Sequence, residues 1–153
     1  MARNKAGCRY FIALEKLLQQ PIEFPRGPLI IFDGCCGICT WTISCLASFS
    51  SHSLKAIPFQ WLSDMQLNSL ETTREFCSKE IHFIDQSGKL STGAYAFNEM
   101  LLAAGFLSGL IEAIKSHSIL LNIESRCYKW FASNRGKISF LLRTRRCALI
   151  DEV

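Results

Sequence analysis

Leu29-Ile30-Ile31-Phe32-Asp33-Gly34-Cys35-Cys36-Gly37-Ile38-Cys39 is the stretch on which the fold turns. Four consecutive apolar residues closed by Asp and Gly read as a short strand buried on both faces. From Cys36 to Phe49 the apolar positions are Ile38, Trp41, Cys45, Leu46 and Phe49, which line one face of an α-helix. A strand therefore gives way to a helix within two or three residues, and the clustered cysteines fall at that junction.

Working outward, Lys55 to Trp61 carries a second short strand, in which Pro58 argues for an edge or a bulge because proline lacks the ladder donor. A helix follows from Asp64 to Cys77, with Ser63 and Gln66 spaced as a capping box. Glu80 to Asp85 and Lys89 to Thr92 flank Gln86, Ser87 and Gly88, a compact polar turn that predicts a β-hairpin. Helical segments complete the chain. Ala94 to Ala104 is stopped by Gly105, Leu107 to His117 comes next, and a third opens with Asn122 as N-cap and runs to Asn134 before Gly136. The order strand, helix, strand, helix, hairpin, helix predicts an α/β protein with a thioredoxin-like core and a helical C-terminal extension.

Composition sets the frame. The 153 residues are 49% hydrophobic and 20% charged, with 17 Lys and Arg against 13 Asp and Glu for a net charge of +4. Such a chain can build its own core without disulfide staples or structural metal, and it lies far from disordered compositions. No stretch approaches the roughly 18 to 20 apolar residues of a membrane span. At the N-terminus, Arg3, Lys5 and Arg9 precede Phe11 to Leu14, but Glu15 and Lys16 cut that apolar run too short for an export signal. The expected location is cytoplasmic, where eight cysteines point to thiols, metal ligands or redox catalysis rather than a disulfide framework. Residues 1–27 read as an extension and linker, with an amphipathic helix around Tyr10 to Gln19 and then Pro21 and Pro25. Residues 28–140 read as the folded domain and 141–153 as a basic tail.

At the strand-to-helix junction the chemistry is specific. The first turn of a helix presents N–H groups without intrahelical partners and a partial positive charge, so a thiolate there is favoured over the thiol. Cysteines so placed titrate below the ordinary value of about 8.5. Cys36 and Cys39 stand one turn apart on the same helical face and can bridge. Position predicts Cys36 as the sulfur that meets a partner and Cys39 as the one that resolves the mixed disulfide. Asp33 could cap the helix or accept the proton of the resolving thiol, and Gly34 would permit the sharp turn. The candidate catalytic set is Cys36, Cys39 and Asp33.

Competing readings exist. Cys35 could bridge to Cys39 instead, although it precedes the helix and should point away from the Cys39 face. Three cysteines could also cluster merely as small core residues. Cys36, Cys39, Cys77 and His82 could together supply soft ligands to zinc or an iron-sulfur group, making the chain a non-catalytic metal-binding or scaffold module. Against that, Cys77 and His82 form no second tight knuckle, and His82 alternates within a strand where a surface place is expected.

Over residues 28–140 the sequence resembles the DCC-type thiol-disulfide oxidoreductases, small thioredoxin-like proteins with a DGxCxxC signature. Asp33, Gly34, Cys36 and Cys39 match that signature. Thr92, Gly93, Ala94, Tyr95 and Ala96 resemble the family's strand and helix start, and Tyr128 to Arg135 resemble its aromatic and Asn-Arg segment. The resemblance implies dithiol-disulfide exchange at Cys36 and Cys39 with Asp33 nearby. It implies no cofactor, and its partners would be protein or small-molecule thiols and disulfides. Two departures are the N-terminal extension and Cys35 in the variable position of the signature. Thioredoxins proper also carry a cis-proline before the third strand, facing the disulfide. No proline lies near Glu80 or Ile81, so substrate capture would need another surface.

The remaining features read as structural. Arg126, Lys129, Arg135, Lys137, Arg143, Arg145 and Arg146 occur with no acidic residue among them; a solvated helix face and tail is expected, and no nucleic acid partner. Tyr128, Trp130 and Phe131, with Leu120, Leu121 and Ile123, are expected to pack against the domain. Asn134 and Arg135 could instead tie the tail to the sheet or line the thiol cleft. Cys8, Cys45, Cys77, Cys127 and Cys147 read as incidental or structural, and His52 and His117 as residues that follow helix ends.

Overall fold

The computed structural model describes residues 28–49 and 54–142. The segment expected to be helical at 10–19, together with Cys8, His52, Cys147 and the last three arginines, lies outside the described residues. Strands β1 (Leu29–Phe32), β2 (Lys55–Pro58), β3 (His82–Ile84) and β4 (Leu90–Thr92) form one mixed sheet in the order β2-β1-β3-β4. β1 runs parallel to β2, with Leu29 opposite Lys55 and Phe32 opposite Pro58. β3 is antiparallel to both β1 and β4. This is the thioredoxin-like core. Pro58 ends an edge strand, where its missing donor costs no ladder bond.

The apolar run of β1 is buried at all four positions because both faces of the sheet are covered. On one face Leu29 and Ile31 pack with Ile57, Leu67, Cys77 and Ile84. On the other, Ile30 joins Leu46, Phe83, Ala96 and Met100. The second layer is built by α1 (Gly37–Phe49) and α4 (Gly93–Ala103); α2 (Asp64–Ser69) and α3 (Arg74–Lys79) cover the first. α5 (Ser108–Ser116) and α6 (Ser118–Leu141) follow, and α6 returns along α4 and α1.

Three expectations change. The helix expected over Asp64 to Cys77 is two short helices. Ser63 and Gln66 do form the capping box, but Glu71 adopts a left-handed φ of 56° and Thr73 starts a second helix by accepting the Phe76 N–H. Between them Thr72 is drawn into the core, 4% exposed. A period count does not register that competition.

The last helix starts at Ser118 rather than Asn122 and continues through Gly136. It touches the domain along a stripe that includes Tyr128, Arg135 and Ser139, so Trp130 and Ile123 face outward, 65% and 53% exposed, rather than filling the core.

His82 is buried, not on the surface. It is 1% exposed, with Nδ1 3.1 Å from the Glu80 carbonyl and Nε2 2.8 Å from Thr72 Oγ1. The carbonyl can only accept, so Nδ1 carries the proton and Nε2 takes the threonine hydroxyl hydrogen. Burial holds the His82 pKa below its ordinary value. The unfolded chain then binds more protons than the folded one below about pH 6.5, so stability is full above that pH and declines as pH falls through it. Urea unfolding followed from pH 7.5 to 5.5 is expected to show this decline, and His82→Gln to flatten it. An unchanged slope in the variant would assign the dependence elsewhere.

Candidate active site

The turn from β1 into α1 is pinned by one carboxylate. Asp33 Oδ1 accepts the Cys35 N–H at 3.0 Å and the Gln60 Nε2–H at 2.7 Å, and Oδ2 lies 3.3 Å from Arg135 Nη2. Gln60, just past β2, completes the tie by accepting the Gly34 N–H through Oε1 at 3.1 Å. Asp33 therefore holds the turn and does not cap α1. Gly34 is needed for space: a Cβ there would lie 2.8 Å from Pro58 Cβ, so the close approach of β1 and β2 ends, rather than the turn, excludes a side chain.

Cys36 and Cys39 form the disulfide, with Cα atoms 5.2 Å apart. Cys35 is exposed and takes no part in it. The first N–H groups of α1 find two partners. Cys39 N–H donates to Cys36 Sγ at 3.3 Å, and Ile38 N–H donates to Ser139 Oγ of α6 at 2.8 Å in a buried bond. The helix terminus thus points a donor at the Cys36 sulfur, the arrangement that favours a thiolate.

The structure divides two properties that position alone gave to one sulfur. Cys36 receives the donor, yet with the end of α6 laid against the start of α1 it is only 9% exposed. Cys39 is half-buried and forms part of the wall of a cavity of about 350 Å³. Phe32, Ile81, Phe97, Tyr128 and Phe131 supply its apolar lining, and Asp33 and Arg135 its polar edge. Beyond Asp33, Arg135 donates to the Ser78 carbonyl, and Tyr128 Oη accepts the Ile81 N–H at 3.0 Å. Burial pushes the Tyr128 phenol pKa up, keeping it neutral.

Arg135 does both things considered for it: it ties the C-terminal helix to the core and lines the thiol cleft. Gln60 and Ser139 have no counterpart in the sequence reading. No local pattern marks them, since each acts on the junction from a distance of 26 residues or more along the chain.

The family model for DCC1-like thiol-disulfide oxidoreductase matches residues 30–141. The chain belongs to this family. No curated protein and no solved structure matches it. Membership of the DCC1-like family and a CxxC disulfide at the strand-to-helix junction together give the chain a redox role in general.

The metal-binding set considered for this DCC1-like chain does not assemble. Cys36 and Cys39 are joined to each other, while Thr72 Oγ1 lies against both His82 Nε2 and, at 3.7 Å, Cys77 Sγ. Among the described residues no three of His, Cys, Asp and Glu gather where they could hold an ion. Burial raises the Cys77 pKa, as suits a structural thiol. Among the described residues no helix is long and apolar enough to cross a membrane.

Proposed function

We propose that this chain is a thiol-disulfide oxidoreductase whose Cys36–Cys39 pair exchanges with the thiol or disulfide of a partner in a reducing, cytoplasmic compartment. The observation that carries the reading is the Cys39 N–H aimed at Cys36 Sγ in the first turn of α1. When a partner thiolate opens the disulfide, the electron pair of the broken bond leaves on the sulfur best able to hold negative charge, and that sulfur is Cys36. Asp33 keeps the turn in register through Cys35, Gln60 and Arg135. It also stands in the same cavity wall as Cys39, where a carboxylate can take up a thiol proton. The electrons pass between sulfurs, so the reaction calls for no cofactor.

The test is the acidity of the Cys36 thiol. In a Cys39→Ser variant, the pH dependence of alkylation at Cys36, followed by mass spectrometry of the peptide, is expected to have its midpoint well below the ordinary cysteine value of about 8.5. A midpoint at the ordinary value, with reduced wild-type protein failing to re-form the disulfide in glutathione disulfide, would overturn the reading.

A further inference from the structure

The cavity beside the disulfide has a composition and a surrounding that the exchange reaction alone does not require. Its volume of about 350 Å³ lies in the range of pockets that bind small molecules. Its walls are mainly aromatic and aliphatic, and most of the charges at its rim are turned to partners within the chain: Arg135 to Asp33, Lys79 to Glu75, and Glu124 to Asn98 Nδ2, with the Glu80 carboxylate also in the lining. An anionic ligand would have to break those pairs and face the Glu80 carboxylate, whereas a neutral, apolar one would not.

The segment entering β3, the natural place for an extended substrate chain to align, is also occupied. The Ser78 carbonyl accepts from Arg135, Glu80 N–H donates to Phe76, and the Glu80 carbonyl accepts from His82. Ile81 N–H goes to Tyr128 and the Ile81 carbonyl accepts from Gly93 N–H. Strand-like pairing with a peptide needs such groups unengaged. What the site still offers is apolar surface next to Cys39.

We propose, building on the exchange reading above, that the cavity is the binding site for a low-molecular-weight thiol with a neutral aromatic or branched aliphatic body, which meets the disulfide at Cys39. The thiolate of the seated ligand attacks Cys39 Sγ. A ligand–Cys39 S–S bond forms, the Cys36–Cys39 bond breaks, and its electron pair leaves on Cys36, which the Cys39 N–H holds as a thiolate. A second ligand thiolate attacks the ligand sulfur of the mixed disulfide and releases Cys39 as thiolate. The balance is two ligand thiolates oxidised to their disulfide and one protein disulfide reduced to two thiolates. The reverse sequence reduces the ligand disulfide.

The experiment compares benzyl thiol with 2-mercaptoethanol, two thiols of similar acidity, as reductants of the oxidised full chain, with the rate of disulfide opening read by thiol-specific mass shift. Benzyl thiol is expected to be faster by at least about tenfold, the value of burying a phenyl group. Ala132→Phe, which fills the cavity from α6, is expected to remove that preference while keeping the 2-mercaptoethanol rate within about twofold. The retained rate also shows that the variant is folded. Equal rates in the wild-type protein, or a preference untouched by Ala132→Phe, would overturn the proposal and leave the exchange reading standing. Failure of both thiols to open the disulfide would overturn the exchange reading itself, and the proposal with it.

Discussion

Serine at position 36 is expected to end turnover and leave the partner's sulfur stranded on Cys39. An oxygen in place of Cys36 Sγ can neither close the intramolecular disulfide nor leave as a stabilised thiolate, so any mixed disulfide formed at Cys39 has no internal route of escape. Cys39 faces the cavity and is the more accessible of the two, while Cys36 is 9% exposed. Cys39→Ser should therefore also abolish turnover, yet capture several-fold less partner despite carrying the more acidic thiol. Reduced variants incubated with a thiol-reactive disulfide and mapped by peptide mass would show it. Position in the sequence predicts the opposite asymmetry, with Cys36 as the capturing residue. Efficient capture by Cys39→Ser and little by Cys36→Ser would restore that order and show that α6 yields to admit the partner. Capture chiefly on Cys127, which also faces the cavity, would remove both assignments.

That asymmetry marks where sequence reading stops. The β1–α1 junction is legible because its signals are local: four apolar residues, a breaker, and a helical period beginning at the cysteines. The hairpin is legible for the same reason, with Gly88 taking the positive φ its turn requires. Pro58 limits β2 to an edge or a bulge, and the sheet order makes it the edge. In each case one residue type satisfies one backbone constraint within a few positions.

What was not legible depends on contacts between distant segments. His82 looks like a half-exposed strand residue until Thr72 is seen to complete its hydrogen bonding and the layer of α2 and α3 to cover it. The break between α2 and α3 follows from the same pull on Thr72, and no period within 64–77 encodes it. Likewise α6 has polar and apolar residues around its whole circumference. Which stripe turns inward is decided by Tyr128, Arg135 and Ser139 finding Ile81, Asp33 and Ile38, leaving Trp130 in solvent. The accessibility of the two sulfurs is set by that docking. The local motif specifies where a thiolate is stable, and the returning helix decides which sulfur a partner can reach.

The largest expected stability effect falls on Asp33. Its carboxylate is 14% exposed and serves three donors from three parts of the chain: the Cys35 N–H, Gln60 Nε2 and Arg135 Nη2. Asp33→Ala would leave all three without that acceptor, one of them a guanidinium that is itself 24% exposed. An unsatisfied buried group costs about 1–3 kcal/mol, and solvent reaching the cavity edge offsets part of the sum, so a net loss of about 2–4 kcal/mol is expected in urea unfolding. Asp33→Asn keeps one carbonyl oxygen to accept from Gln60 and Cys35 while surrendering the charge opposite Arg135, and should lose about 1–2 kcal/mol. Exchange rates separate positioning from proton transfer. If Asp33 acts through the geometry of the turn, the Asn variant retains most of the exchange rate at every pH and the Ala variant does not. If it takes the thiol proton, both variants lose rate most strongly at low pH, where little solvent hydroxide is present to replace it. Should Asp33→Ala unfold at the wild-type urea midpoint, the carboxylate is not what holds the junction, and α6 is tied to the redox turn by other contacts, the Ile38–Ser139 bond among them.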